Sequence, residues 1–362
     1  MNAPLVRLRK EIIAKNLDAI LISSLSNIIY LTEYSGFSRN EREAYLLITK
    51  NQQYILTDGR YTQDVIKLIP DFKLIEISPK LPATKILNEL KKKYKIKKLG
   101  IEENDLKVNE HRALKKYFTQ TQNFDAINIL RSIKNNDEIL KIEKACKLGD
   151  EVFSSILKRV KFGVSEKEIA SEIEFFVKKQ DGEVSFSPIV AFGKNSAVPH
   201  HVPNDLKLAQ NSIVLLDFGV KLDNYCSDMT RTIFFGSANA EFKKMYNTVL
   251  KAQSCAIELL NTKYLISNTK ASAIDNAARE YIVSQGYKTI PHSLGHGIGI
   301  DVHELPHISP NSKDILKDGM VFSIEPGIYL PNFGGVRIED LVVLEKAGLR
   351  LLTHSPKNLI EI

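Results

Sequence analysis

The chain has 362 residues, 43% of them hydrophobic, and its 50 Lys and Arg outnumber its 43 Asp and Glu to leave a formal net charge of +7. That apolar content is ordinary for a globular protein, and the length predicts two domains, each able to bury its own core. No apolar run reaches the ~20 residues of a membrane-spanning helix, so no membrane partner is expected.

Residues 1–22 scatter their charges and hold no apolar leader segment. They read as an amphipathic helix entering a strand, not as a signal peptide. Strands are predicted over 19–23, 44–49, 53–57, 73–77 and 98–101, with helices over 62–68 and 83–94. That alternation argues for an α/β domain over 1–132. TDGRY at 57–61 reads as a strand-to-helix connection. The basic excess gathers at 91–98, KKKYKIKK. An anionic polymer could bind such a run, but lysines are favoured near a helix C-terminus. With no nucleic-acid-binding motif beside it, the run reads as a solvated helix end, and no nucleic-acid partner is expected.

A polar stretch at 131–137 marks the boundary to a second domain over 133–362. Its first helix carries Ile139, Ile142, Cys146, Phe153 and Ile156 and is expected to stop near Gly163. Ser165 with Glu168 forms a capping box opening a helix with the stripe Ile169, Ile173, Phe176 and Val177, closed by Asp181-Gly182. The apolar run 213–216 predicts a buried strand delivering Asp217 at its end, and 221–224 a turn. The next strand, 225–235, places Asp228, Thr230 and Thr232 on one face. A hairpin would set Asp217 beside Asp228. Helices follow over 239–261 and 271–285. A strand over 321–324 ends at Glu325-Pro326-Gly327, and 335–339 continues with Arg337 and Glu339 on one face. This half therefore predicts an α+β domain with helices backing an antiparallel sheet. Cys146, Cys226 and Cys255 are odd in number and unrelated in spacing, which suits free thiols in a cytoplasmic setting. Cys226 shares the face of Asp228 and reads as a packed structural thiol.

Taken singly, an Asp at a strand end is a turn or cap residue, and a His in a Gly-rich segment is a satisfied structural group. Taken together, Asp217, Asp228, His296, Glu325 and Glu339 are more ligands than one divalent cation usually takes. They suit two cations sharing bridging oxygens. Burying four unpaired carboxylates would be prohibitive, so cations must offset them.

The strings that carry these residues are VPHH (198–201), LLDFGVKLDNYCSDMTRT (215–232), SLGHGIGIDVHELPHIS (293–309) and FSIEPGIYLPNFGGVRIED (322–340). Through them the chain resembles the pita-bread metallopeptidases, and within these the proline-specific branch of aminopeptidase P and prolidase. The resemblance covers essentially the whole chain. It implies a creatinase/prolidase-like α/β N-terminal domain and an α+β pita-bread catalytic domain, with the metal site in the concavity of a curved antiparallel sheet. It also implies a homodimer.

By that resemblance Asp217 would chelate one metal, His296 and Glu325 the other, and Asp228 and Glu339 would bridge both. Oxygen-rich ligation favours two Mn²⁺, with Co²⁺ or Zn²⁺ as alternatives. Glu325 would relay the attacking water's proton to the leaving nitrogen. Arg337 would orient carboxylates. His303 would donate to the substrate or its oxyanion, and His200 would contact bound peptide. His201 reads as structural. Gly295, Gly297 and Gly299 read as points of close backbone approach.

The implied substrate is a peptide with proline second, whose scissile bond is a tertiary amide without N–H. Prolidases often carry an Arg four residues after the VHE histidine. Here His307 stands there, a poorer anchor for a dipeptide carboxylate. The departure favours an aminopeptidase P-like activity that releases the N-terminal residue, with prolidase as the alternative. A non-catalytic binding module or a creatinase relative would lack part of the ligand set. Methionine aminopeptidase usually lacks an N-terminal domain of this size.

Overall fold

The computed structural model describes residues 3–38, 40–261 and 269–362. Two compact units divide between Arg131 and Ser132.

The first unit is built on a six-stranded sheet of β1 (Ala19–Ile22), β2 (Ala44–Thr49), β3 (Gln53–Asp58), β4 (Lys73–Ile77), β5 (Lys98–Ile101) and β6 (Gln120–Asn123), in the order β4-β3-β2-β1-β5-β6. Only β2 runs antiparallel to its neighbours; the other pairs are parallel. Helices α1 (Ala3–Ala14), α2 (Leu25–Thr32), α3 (Thr62–Leu68), α4 (Ala83–Tyr94), α5 (Val108–Lys115) and α6 (Ala126–Ser132) complete an α/β unit. Leu21, Leu47 and Leu99 from the sheet pack with Ile86, Leu87 and Leu90 of α4. The 91–98 basic run begins as the last turn of α4, where Lys95 closes the helix in a left-handed conformation. The predicted strand over 19–23 stops at Ile22, because the Ser23 and Ser24 N–H groups turn to the buried Glu102 carboxylate.

The second unit opens with α7 (Asn136–Leu157) and α8 (Glu166–Lys179). The capping box expected of α8 is present, from Ser165 with Glu168, and α7 proves to have one of its own, from Asn135 with Glu138. α7 ends earlier than expected, six residues before Gly163, at Leu157, whereas α8 is closed as expected, with Asp181 left-handed just past its end. Ile169, Ile173 and Val177 are fully buried along α8, each stabilising the fold by about 1.5–3 kcal/mol. They pack with Val214, Leu216 and Phe218.

The strands are β7 (Glu183–Val184), β8 (Ile189–Phe192), β9 (Ser212–Phe218), β10 (Val220–Leu222), β11 (Tyr225–Cys226), β12 (Met229–Phe235), β13 (Gly295–Gly297), β14 (Glu304–Ile308), β15 (Val321–Ile324), β16 (Gly327–Leu330), β17 (Gly334–Arg337), β18 (Asp340–Glu345) and β19 (Gly348–Leu351). All their pairings within sheets are antiparallel, in the orders β12-β9-β8, β11-β10-β7, β14-β13-β15-β18-β19 and β16-β17. Helices α9 (Ala240–Leu260) and α10 (Ala271–Ser284) back this sheet system through Val249, Ala252, Ile274 and Ala278, packed with Phe322, Ile324 and Val342. Among the described residues no helix is long and apolar enough to cross a membrane.

Two predicted strands are broken. The run 225–235 splits into β11, which pairs with β10, and β12, which pairs with β9. The run 335–339 ends at Arg337, and the chain restarts as β18 at Asp340. Pro326, which has no N–H, marks the matching break between β15 and β16. One buried side chain serves two of these breaks. Gln253 of α9 donates to the carbonyls of Ile324 and Ile338, at 3.0 and 3.4 Å. The breaks let one ribbon change sheets, and Asp228, Glu325 and Glu339 lie at them.

Candidate metal centre

Asp217 lies within β9 and not at its end, and the register sets it across from Thr230. Asp228 sits one residue before β12, so the two carboxylates converge through the break and not as a direct cross-strand pair. Glu325 follows β15, its N–H bonded to the Leu294 carbonyl at 2.8 Å. Glu339 precedes β18, its N–H bonded to the Thr230 carbonyl at 3.1 Å. His296 is central in β13, a strand squeezed between its neighbours. A Cβ at Gly295 would lie 2.0 Å from the Ser323 carbonyl oxygen, and one at Gly297 2.0 Å from that of Leu305. Only glycine permits that approach.

Ligand atoms of Asp228, His296 and Glu339 all lie within 4.8 Å of one another. His296 Nε2 is 3.4 Å from Glu325 Oε1 and 3.6 Å from Asp228 Oδ2. Asp217 is drawn in through Arg337, whose Nη2 donates to its Oδ2. Arg337 also donates from Nε to Thr230 Oγ1 at 3.1 Å, and Thr230 in turn donates to Glu339 Oε2 at 2.7 Å. The structure thus brings all five expected ligands and Arg337 to one place.

The donor set fits cations. One oxygen each of Asp217, Asp228 and Glu339 is buried with no hydrogen-bond partner. Native proteins do not leave such acceptors unsatisfied without cause. The imidazole points the same way. His296 Nδ1 lies 3.1 Å from the Gly297 carbonyl, so it must carry the ring proton. Its Nε2 lone pair then faces two carboxylates, acceptor against acceptor, unless a cation stands between. Burial lowers His296 to about 4, with His303 adding to the shift, so the ring is neutral. Burial also raises Asp228 well above the usual carboxylate range, with the charges of Glu339, Asp217 and Glu325 adding to it. Glu339 rises for the same reasons, burial first and then Glu325 and Asp217. Burial pushes Glu325 up to about 8, against the pull of Arg337. Carboxylates in this condition demand positive charge beside them.

His303 stands exposed in the turn before β14, its ring edge-on to His296 at 4.3 Å between centroids. The part of its ring that packs against the protein is desolvated, which lowers its pKa, and His200 adds to the effect. His200 is exposed on the turn after a 3-10 helix (Gly193–Ala197), and the neighbouring Pro199 carbonyl accepts from Arg337 Nη1 at 3.4 Å. His201 turns away, to the buried Glu166 at 2.7 Å. His307 is the cross-strand partner of His296 and is exposed. Cys226 is buried, with Sγ 3.4 Å from the Ile300 carbonyl.

Two residues of this neighbourhood escaped the sequence reading. His292 Nδ1 lies 2.7 Å from the Ser293 carbonyl, so its Nε2 is the acceptor and takes the Tyr329 hydroxyl proton at 2.9 Å. Tyr329 then accepts from Arg337 Nη1 at 2.8 Å. The chain His292–Tyr329–Arg337–Asp217 fixes the guanidinium behind the centre. Burial lowers His292 to about 4, keeping it the neutral acceptor this requires. Its only mark in the sequence is a place four residues before His296.

Residues 140–346 match the model of metallopeptidase family M24, and residues 4–133 match the creatinase/prolidase N-terminal domain. The chain is 36% identical over 349 residues to an uncharacterized peptidase of Bacillus subtilis, covering 95% of this chain and 96% of that one. It is 39% identical over 355 residues to an uncharacterized peptidase of Staphylococcus epidermidis, covering 97% and 98%. Among solved structures, an Xaa-Pro dipeptidase from Bacillus anthracis superposes with a TM-score of 0.92 at 33% identity, covering 99% of both chains. A dipeptidase from Pyrococcus horikoshii gives 0.90 at 34%, covering 99% and 100%. An X-Pro aminopeptidase from Thermotoga maritima gives 0.86 at 31%, covering 96% and 98%.

Proposed function

Because the chain belongs to metallopeptidase family M24, we propose that this metallo-exopeptidase hydrolyses the bond before proline, with Xaa-Pro dipeptides as its preferred substrates. Its fold is the pita-bread catalytic domain preceded by the creatinase/prolidase N-terminal domain. The observation that carries the reading is the cluster of four carboxylates about one neutral imidazole, with three carboxylate oxygens buried without a hydrogen-bond partner. The aminopeptidase P-like preference expected from His307 gives way here. Similarity over 99% of the chain to an Xaa-Pro dipeptidase and to a second dipeptidase supports the alternative better.

In this reading Asp217, Asp228, His296, Glu325 and Glu339 hold two divalent cations, Mn²⁺ being favoured by the oxygen-rich set. When bound, such cations supply Lewis acidity toward the scissile carbonyl and acidify an attacking water. Glu325 takes that water's proton and passes it to the leaving proline nitrogen. Its side chain keeps 16% of its surface open, enough for substrate to meet it. His303 donates a hydrogen bond to the developing oxyanion from the exposed side of the centre. Arg337, fixed through Tyr329 and His292, holds Asp217 and, through Thr230, Glu339. His200 contacts the bound peptide. His200 and His307 bring two further imidazoles to this rim, and their N–H groups receive the carboxylate of a dipeptide. The active form is a homodimer in the cytoplasm.

The test is a substrate panel on metal-loaded enzyme: Gly-Pro, a Gly-Pro tripeptide, a Met peptide and creatine. The dipeptide is expected to give the highest kcat/KM. Preference for the tripeptide would restore the aminopeptidase P reading. His307→Arg adds a direct probe. A permanent planar charge opposite His296 should lower KM for Gly-Pro by ~3–10-fold relative to the tripeptide, the gain of one charge-assisted contact. Equal KM changes for both substrates would remove His307 from carboxylate recognition.

A further inference from the structure

Glu166 is fully buried, yet it lies outside the metal centre and no step above uses it. It is the first residue of α8, where the helix N-terminus favours a negative charge. Both of its oxygens are occupied. Oε1 accepts from the Phe192 N–H at 2.7 Å and from Asn195 Nδ2 at 2.8 Å. Oε2 accepts from His201 Nε2 at 2.7 Å and from the Asn204 N–H at 3.0 Å. These four donors span the segment 192–204, which leaves β8 at Phe192 and has beyond it only one short 3-10 turn. A connection this long without regular structure is ordinarily mobile. Here one carboxylate gathers its start, middle and end.

The same segment is fastened on its other side to β17. Ser196 Oγ accepts from the Gly335 N–H at 2.8 Å, and a Cβ at Gly335 would lie 2.2 Å from the Ser196 carbonyl oxygen. Pro199 accepts from Arg337 two residues further along β17. Between these two fastenings, flanked by Pro199 and His201, stands the exposed His200.

We infer that Glu166 is a positioning residue: its carboxylate clamps the 192–204 segment in the shape that presents His200 to the peptide. The assignment rests on the reading of His200 as a peptide contact. It goes beyond that reading by naming what sets the contact's geometry. A carboxylate is required because all four partners are donors. An amide in its place would turn its NH₂ group against a fixed backbone N–H, that of Phe192 or that of Asn204, in either orientation.

The experiment compares wild type, Glu166→Gln, His200→Ala and the double variant, each metal-loaded, by Gly-Pro kinetics and by hydrogen exchange. Glu166→Gln should raise KM by ~10-fold while kcat and metal content stay near wild type, the pattern of lost substrate binding without lost chemistry. In the His200→Ala background the same change should add less than ~2-fold, because coupled residues are not additive. Amides of 193–204 should exchange faster in Glu166→Gln, whatever the substrate. If wild type cleaves no Xaa-Pro peptide, the substrate reading fails, and the exchange measurement still decides on the clamp. Unchanged exchange and unchanged KM would overturn the inference, as would KM effects that multiply fully in the double variant. Should Glu166→Gln not fold, Asn195→Ala removes one donor and leaves the carboxylate. It must then raise both KM and local exchange, and failure to do so overturns the clamp.

Discussion

Asp228→Asn is expected to release at least one metal and to lower turnover by well over ~10³-fold, beyond the ~10²–10³-fold loss of a single transition-state donor. The geometry gives the reason. Asp228 lies at the break between β11 and β12, with one oxygen toward His296 Nε2 and the other buried without a partner. No other carboxylate can take that place. The fold should survive, since Asn is isosteric and β12 stays paired with β9 through seven residues. A second readout separates charge from packing. Without cations, Asp228 is opposed by burial and by the charges of Glu339, Asp217 and Glu325. Removing its charge should therefore make the metal-free variant melt above metal-free wild type at pH 8. Elemental analysis that finds two metals retained, with near-normal activity, would sink the dinuclear reading.

The sequence was legible wherever one periodicity governs a segment. The capping box of α8 and the alternation of the first unit needed only local chemistry. It was least legible where a strand breaks. Nothing in YCSDMTRTIFF says that pairing switches from β10 to β9 after Cys226, because aromatic and β-branched residues on both sides of the break suit a strand. The signal for the break near Glu339 lies 85 residues away in Gln253, on the helix behind it. The ligands were read from their strings and their charge, not from the register, which puts Thr230 and not Asp228 across from Asp217. His292 and Tyr329 escaped for a related reason. Each is an unremarked polar residue until folding joins them at 2.9 Å behind Arg337. Short elements of the first unit, α2, α5, α6 and β6, also went unread, since 4 to 8 residues carry too little periodicity.

His303→Ala should lower kcat by ~10²–10³-fold with metal content unchanged, the scale for losing one oxyanion donor. The two claims depend on different parts of the geometry. His303 meets the centre through its ring edge against His296, while His296 turns its own Nε2 toward Asp228 and Glu325. A side chain packed beside a ligand can be removed without opening the ligand set. His303 also stands exposed in a turn, so truncation should cost little stability, within about 0.5 kcal/mol. A fall in kcat with two metals bound and an unshifted Tm would separate chemistry from assembly. If metal leaves together with activity, His303 is itself a ligand, and the donor set must be redrawn with two imidazoles. If kcat holds and only KM rises, His303 binds the ground state, and the oxyanion must find its hydrogen bond elsewhere.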